Sequence, residues 1–100
     1  IESELFGHKK GAFTGAVTDK VGALKAAHLG TLFIDEIDSL PLEMQTKLLT
    51  FLDQGKFRRV GEMREETVNT RLIFASGRKL HNLVESGDFR RDLYYRLKAG

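Results

Sequence analysis

Two adjacent acids, Asp35 and Glu36, follow directly on the apolar run Thr31-Leu32-Phe33-Ile34. That run is short, apolar on both faces and bounded by Gly30, which suits a buried parallel strand. In open parallel sheets, ligands bind beyond the carboxyl ends of the strands. Two acids placed there can divide a task. One holds Mg²⁺, directly or through water, because that small hard ion prefers oxygen ligands. The other orients and deprotonates an attacking water. In isolation an Asp-Glu pair reads as a strand end or a turn, so its neighbours decide. A second apolar run, Leu72-Ile73-Phe74-Ala75, ends at Ser76-Gly77-Arg78, where a side chain could reach the same crevice. Arg90 and Arg96 follow in the segment Phe89–Leu97. At about 100° per helical residue they stand roughly 120° apart and do not share a stripe. Either one grips phosphate while the other orients or pairs, or both are surface arginines paired with Asp88 or Asp92.

The elements that must position these residues can be read from the pattern. Residues 2–6 read as the end of a helix stopped by Gly7, and residues 8–21 as a glycine-containing loop. A short helix is expected over 21–28. Ser39 can cap the next helix, with Pro41 in its first turn. Met44, Leu48, Leu49 and Leu52 form its apolar stripe, and Gly55 stops it. Residues 56–60 and 67–70 read as arms of a hairpin or extended loop. The strand at 72–75 should run parallel to the first, since a helix intervenes. Leu80, Leu83 and Val84 mark a short helix before Gly87, and a last helix is expected over 89–97. Strand, helix, strand, helix implies an α/β fold with a parallel sheet.

The loop holds a second signal, Gly11-Ala12-Phe13-Thr14-Gly15-Ala16. Two glycines permit a tight tip. Phe13 either folds back onto its own protein or is offered to a partner, where aromatic anchors carry much of the binding energy. Bulk properties set bounds. The charge of +2 is too small to imply nucleic acid binding by these residues, and the absence of cysteine excludes disulfides and thiolate metal sites. No apolar run is long enough for a membrane helix, and no basic-then-apolar leader is visible. His8, His28 and His81 lack metal-ligand spacing. The chain opens on Ile1 and closes on Gly100 without punctuation, which reads as part of a longer protein.

Taken in order, these motifs resemble the AAA+ ATPase domain of the sigma-54-dependent transcription activators, the bacterial enhancer-binding proteins. The resemblance covers nearly the whole chain. It rests on Glu2-Ser3-Glu4-Leu5-Phe6-Gly7-His8, the Gly-Ala-Phe-Thr-Gly-Ala loop and Gly30-Thr31-Leu32-Phe33-Ile34-Asp35-Glu36-Ile37. It continues through Leu40-Pro41-Leu42-Glu43-Met44-Gln45-Thr46-Lys47-Leu48-Leu49 and Phe89–Leu97. It implies a partial P-loop NTPase core of three α/β/α layers. The sigma-54-contact loop would span residues 8–20, the Walker B strand 31–36, a second loop 56–69, the sensor strand 71–76 and the arginine-finger helix 89–97.

Roles follow from the same resemblance. Asp35 would coordinate Mg²⁺ and Glu36 would activate water for hydrolysis of ATP. Arg90 and Arg96 match arginine fingers that reach the γ-phosphate of a neighbouring subunit, which implies a ring, typically a hexamer. Gly11, Ala12, Phe13, Thr14, Gly15 and Ala16 match the loop that touches sigma-54, and Phe57-Arg58-Arg59-Val60-Gly61 a loop that moves with it. The implied work is remodelling of sigma-54 RNA polymerase holoenzyme in the bacterial cytoplasm, with DNA bound through a domain outside these residues.

Three features depart from the family pattern. No Gly-rich phosphate loop with its lysine occurs here; in the family it precedes this region, and the lid and DNA-binding domain follow it. Ser76-Gly77 stands where Thr-Asn is usual, so the phosphate-sensing amide is missing. Lys25 stands where a glutamate is common, and would repel Arg59 rather than pair with it. These departures leave an alternative: a degenerate or truncated module that binds sigma-54 or self-assembles without efficient hydrolysis.

Overall fold

Glycines decide where the backbone turns and where its segments press together. A Cβ at Gly22 would lie 2.3 Å from the Gly7 nitrogen, and one at Gly7 2.5 Å from the Lys20 carbonyl oxygen. Gly7 also holds a left-handed φ of 83°, which other residues resist. That close approach brings the chain on either side of the loop into register.

A computed structural model describes residues 1–99 of the chain. The elements are α1 (Glu2–Phe6), β1 (Gly7–His8), β2 (Lys20–Val21), α2 (Ala23–Ala26), β3 (Thr31–Ile34) and α3 (Leu42–Gln54). There follow β4 (Lys56–Phe57), β5 (Glu66–Thr67), β6 (Arg71–Phe74), α4 (Leu80–Ser86) and α5 (Arg91–Ala99). A 3-10 turn covers Ile37–Ser39. The chain divides into two units, Ile1–Leu32 with Gly55–Leu72 and Phe33–Gln54 with Ile73–Gly100.

In the first unit, β1 and β2 pair antiparallel, with Gly7 opposite Val21 and His8 opposite Lys20. The expected loop over 8–21 is therefore closed at its root by strands, because the two glycines let the backbones meet. β4 and β5 pair antiparallel, Lys56 opposite Thr67 and Phe57 opposite Glu66, giving the expected hairpin shorter arms. Leu5, Phe6, Leu24, Phe57 and Val68 are buried, and the rings of Phe6 and Phe57 meet at 6.2 Å. Each fully buried Phe or Leu contributes roughly 2 kcal/mol by area removed from water.

In the second unit, α3 buries Met44, Gln45, Leu48 and Phe51. Met44 and Leu48 belong to the expected stripe, whereas Leu49 and Leu52 are only half-buried. The helix begins one residue after Pro41, whose carbonyl accepts the Met44 and Gln45 N–H groups at 3.0 Å each. Ser39 does not cap it, because it belongs to the 3-10 turn Ile37–Ser39, and Leu40 and Pro41 separate it from Leu42. Leu93 on α5 and Phe89 just before it are both buried, and α4 stops at Gly87, whose φ of 86° is left-handed.

β3 pairs with β6. Arg71 N–H donates to the Gly30 carbonyl and Ala75 N–H to that of Ile34, both at 3.0 Å. The partners advance together along both strands, so the pair is parallel and the fold is α/β. Burial departs from expectation. Phe33 is 58% and Ile73 43% exposed, so one face of this pair is open among the described residues. No described helix is long and apolar enough to cross a membrane.

The glycine geometry makes a contrast testable by urea unfolding of the full-length protein. Gly22→Ala should destabilise by about 2 kcal/mol or more, because backbone atoms must move. Gly77→Ala should change stability by less than about 0.5 kcal/mol, since a Cβ there meets nothing within 4 Å.

Candidate functional site

The second unit brings Asp35 and Glu36 beside the exit of β6. Ala75 is the link: its N–H donates to the Ile34 carbonyl at 3.0 Å, and its carbonyl accepts the Ile37 N–H at 2.9 Å. The two acids therefore bulge out between two backbone ties to one residue. Glu36 takes a left-handed conformation with φ of 54°, which costs a non-glycine residue roughly 1–2 kcal/mol. Asp35 Oδ1 accepts the Glu36 N–H at 2.8 Å and steadies the bulge. Both acids are exposed. Sequence reasoning identified the residue types but carried no signal for this backbone.

Asp38, which that reasoning passed over, fastens the opposing loop. It is buried, and its carboxylate accepts Arg78 Nε at 2.9 Å and the Gly77 N–H at 3.3 Å. The Arg78 guanidinium holds the Asp38 carboxyl below the usual carboxylate range. Ser76 turns inward: its hydroxyl donates to the Arg78 carbonyl and accepts the Arg78 N–H at 3.3 Å. Ser76 and Gly77 thus lie next to the acids, with the hydroxyl engaged in its own loop.

Arg90 precedes α5 instead of lying within it, so the helical angle between the two arginines does not apply. Gln45 holds the residue that leads into α5. This buried residue on α3 accepts the Arg90 N–H at 2.7 Å through Oε1. Its amide donates to the Leu40 and Asp88 carbonyls at 2.9 and 3.0 Å. A polar residue on the buried face of an otherwise apolar helix was the only available signal. The Arg90 guanidinium grips both Asp92 oxygens at 3.0 and 2.8 Å and touches Thr46. That pairing raises the Arg90 pKa and lowers that of Asp92. Arg96 pairs with Asp53 at 3.1 Å and donates to the Leu52 carbonyl, away from Asp88 and Asp92. Thr46 and Asp53 are about 10 Å apart along α3, so the two guanidinium groups rest at separate stations.

The first unit carries the Gly-Ala-Phe-Thr-Gly-Ala loop. Gly11 N–H donates to the Ala16 carbonyl at 2.8 Å and Ala16 N–H to that of Phe13 at 3.0 Å, folding the tip on itself. Asp19 closes the loop lower down by accepting the Lys10 N–H at 2.7 Å. His8 braces the root, donating from Nε2 to the Thr18 carbonyl at 2.9 Å while Nδ1 meets the Ser3 hydroxyl. Phe13 satisfies both alternatives in part. Its ring stands edge-on to His8 at 5.0 Å, yet the residue remains 47% exposed. Ala16 is buried, while Gly11, Thr14 and Gly15 are exposed and Ala12 is half-buried.

The second loop is bonded to the first. Val60 donates to the Gly7 carbonyl and accepts the Lys9 N–H, each at 3.0 Å. Gly61 packs on Ala12 so closely that a Cβ there would lie 2.6 Å from the Ala12 Cβ. Lys9 and Glu62 face each other at 3.9 Å.

The expected repulsion between Lys25 and Arg59 is offset by a shared carboxylate. Glu66 lies between them, 2.8 Å from Lys25 Nζ and 2.6 Å from Arg59 Nε. Arg59, then Lys25, hold the Glu66 carboxyl below its ordinary value, and Glu66 raises the Arg59 pKa. The remaining histidines serve locally: His28 Nδ1 accepts the Asn69 N–H at 2.9 Å, and His81 lies 4.0 Å from Glu85.

The α/β fold, with acids at the β3 exit and a glycine-framed aromatic loop, has counterparts among known proteins. The family model described as "Sigma-54 interaction domain" matches residues 1–100, and the chain belongs to that family. It is 50% identical over 99 residues to the Nif-specific regulatory protein of Rhizobium meliloti, covering 99% of this chain and 18% of that protein. It is 53% identical over 97 residues to the regulatory protein LuxO of Vibrio cholerae, covering 97% of this chain and 21% of that protein. Among solved structures, NtrX from Brucella abortus matches with a TM-score of 0.86 and 38% identity, over 97% of this chain and 21% of that one. Its complex with ATP matches at 0.84 with 38% identity, over 96% and 20%. The chain spans about a fifth of the length of these relatives. Both of these curated relatives are named as regulatory proteins.

Gln45→Leu strips the Arg90 N–H and two carbonyls of their partners. It should cost about 2–4 kcal/mol in urea unfolding of the full-length protein. The Glu66 contribution has a definite sign. Because its folded-state pKa lies below the ordinary 4.5, the stability it adds is present above that pH and is lost as pH falls through the lowered value. The stability gap between wild type and Glu66→Gln, measured by urea unfolding, should therefore be full near about pH 7 and narrow as the pH is taken below 4.5.

Proposed function

We propose that the full-length protein hydrolyses ATP and uses the cycle to remodel sigma-54 RNA polymerase holoenzyme, activating transcription. The observation that carries this reading is Phe13, held half-exposed at a folded tip whose root is bonded to a second loop. A floppy tip would lose its aromatic to local collapse, whereas a braced one transmits displacement to whatever it touches. Gly11, Ala12, Thr14, Gly15 and Ala16 shape that tip for sigma-54. The tip belongs to the contact loop at 8–20, which works with the loop at 56–69, the Walker B strand at 31–36, the sensor strand at 71–76 and the finger segment at 89–97.

Glu36 acts as the base that orients and deprotonates the attacking water. Asp35 offers hard oxygens, and Mg²⁺ binds such donors alongside water and substrate phosphates. When bound, the ion would neutralise charge on those phosphates. Arg90 and Arg96 serve a neighbouring copy in a ring. Their side chains are 41% and 40% exposed, and each must leave its present aspartate to meet a phosphate. The NtrX complexes with ADP and ATP support nucleotide use in related proteins. The phosphate-binding loop, the lid and DNA contact belong to other parts of the full-length protein, which acts in the bacterial cytoplasm.

A second reading is favoured by one observation. Gly77 offers no side chain and the Ser76 hydroxyl is turned into its own loop, so a degenerate regulator that hydrolyses slowly is the alternative. Position 77 has room for a side chain, since a Cβ meets nothing within 4 Å. Steady-state ATPase assays on the full-length protein decide between the two. On the active reading, Glu36→Gln lowers kcat by about 100-fold or more, and Gly77→Asn leaves it within about threefold, under about 1 kcal/mol of barrier. A rise of more than about tenfold in Gly77→Asn supports the degenerate reading. No loss in Glu36→Gln contradicts hydrolysis at this site.

A further inference from the structure

The family resemblance expects a carboxylate at position 25, opposite Arg59, and this chain places lysine there. A carboxylate is nevertheless present at the same junction, supplied from β5. We propose that Glu66 is the positioning residue that holds the second loop in register with the sigma-54-contact loop, replacing a carboxylate on α2. The proposal rests on the functional reading above for the identity of the partner, though not for the linkage itself.

Four observations converge on Glu66. Its side chain is only 15% exposed and faces two cations, 2.8 Å from Lys25 Nζ and 2.6 Å from Arg59 Nε. A second contact, Arg59 Nη2 to Oε1 at 3.4 Å, fixes the plane of the guanidinium against the carboxylate. Arg59 Nη1 points to the Lys20 carbonyl on β2, at 3.5 Å. Finally, Arg59 directly precedes Val60, whose two backbone groups make the bonds to Gly7 and Lys9. Glu66 thus anchors the residue next to the only strand-like bridge between the loops among the described residues, His8 with Val60.

The electrostatics explain why the anchor is specific. Lys25 and Arg59 converge on one carboxylate, and its loss leaves two facing cations with nothing between them. Repulsion then acts along the α2-to-loop direction and pulls Val60 from Gly7 and Lys9. Exposed ion pairs contribute little, but two cations sharing one shielded acid are coupled more tightly than a surface pair. A reversed arrangement, glutamate at 25 and lysine at 66, keeps the same three charges and again places an acid beside Arg59.

The test uses the full-length protein with Glu66→Gln, Glu66→Lys and the double exchange Lys25→Glu/Glu66→Lys. Hydrogen exchange at the Lys9 and Val60 amides reads the linkage without reference to function. Capture of sigma-54 in the presence of ADP and aluminium fluoride reads its consequence. Exchange at both amides should rise about tenfold in Glu66→Lys and less in Glu66→Gln, with sigma-54 capture falling in the same order. The double exchange should restore both readouts to within about threefold of wild type. A residue that merely fills space would not be rescued by reversing the charges. Unchanged amide exchange in Glu66→Lys, or failure of the double exchange to restore it, overturns the proposal. Failure of the wild-type protein to capture sigma-54 overturns the functional reading instead, and amide exchange still judges Glu66.

Discussion

The two backbone hydrogen bonds of Val60 are the constraint on which the contact loop depends. They join the second loop to the residues that launch the first, Gly7 and Lys9. Backbone bonds hold position better than side-chain pairs, since they carry no rotamer freedom. Everything above them is arranged to keep them: glycines at 7 and 22 that let strands close the root, a histidine that spans it, and Gly61 pressed on Ala12. The outcome is an aromatic tip that is held rather than merely exposed. A partner that gripped Phe13 would feel any shift of the second loop, because the loops have little slack between them.

The acids of the second unit show the same economy of ties. One residue, Ala75, fixes both ends of the Asp35-Glu36 bulge, and one carboxylate, Asp38, fixes the facing loop. Glu36 occupies a backbone region that costs energy for a residue with a Cβ. Such strain persists where the surroundings over-determine it, and here two backbone bonds and the Asp35 carboxylate do so. Arg90 and Arg96 rest on aspartates at separate stations along α3.

Much of this was legible in the chain, and the failures have physical causes. The strand at Thr31–Ile34 and the stops at Gly7 and Gly87 followed from local chemistry, and the structure has them at those positions. The residue types of the candidate site were visible because acids after an apolar run and a glycine-framed aromatic are local patterns. Lys25 was misread because its partner, Glu66, lies 41 residues away and only the folded chain brings the two together. Arg90 was assigned to the last helix because the apolar spacing from Phe89 onward does not mark Arg91 as its first residue. Ser39 looked like a cap, but the 3-10 turn had already claimed it. The strands were expected to be buried, and Phe33 and Ile73 are open to solvent, because apolar composition reports what could be covered rather than what is.

The central claim is that Phe13 is a nucleotide-driven contact. The most direct measurement replaces Phe13 with a photo-crosslinking phenylalanine analogue in the full-length protein and scores the yield of adduct with sigma-54. The account predicts strong crosslinking with ADP and aluminium fluoride and little without nucleotide. Equal yields in both conditions, or no adduct in either, would contradict it.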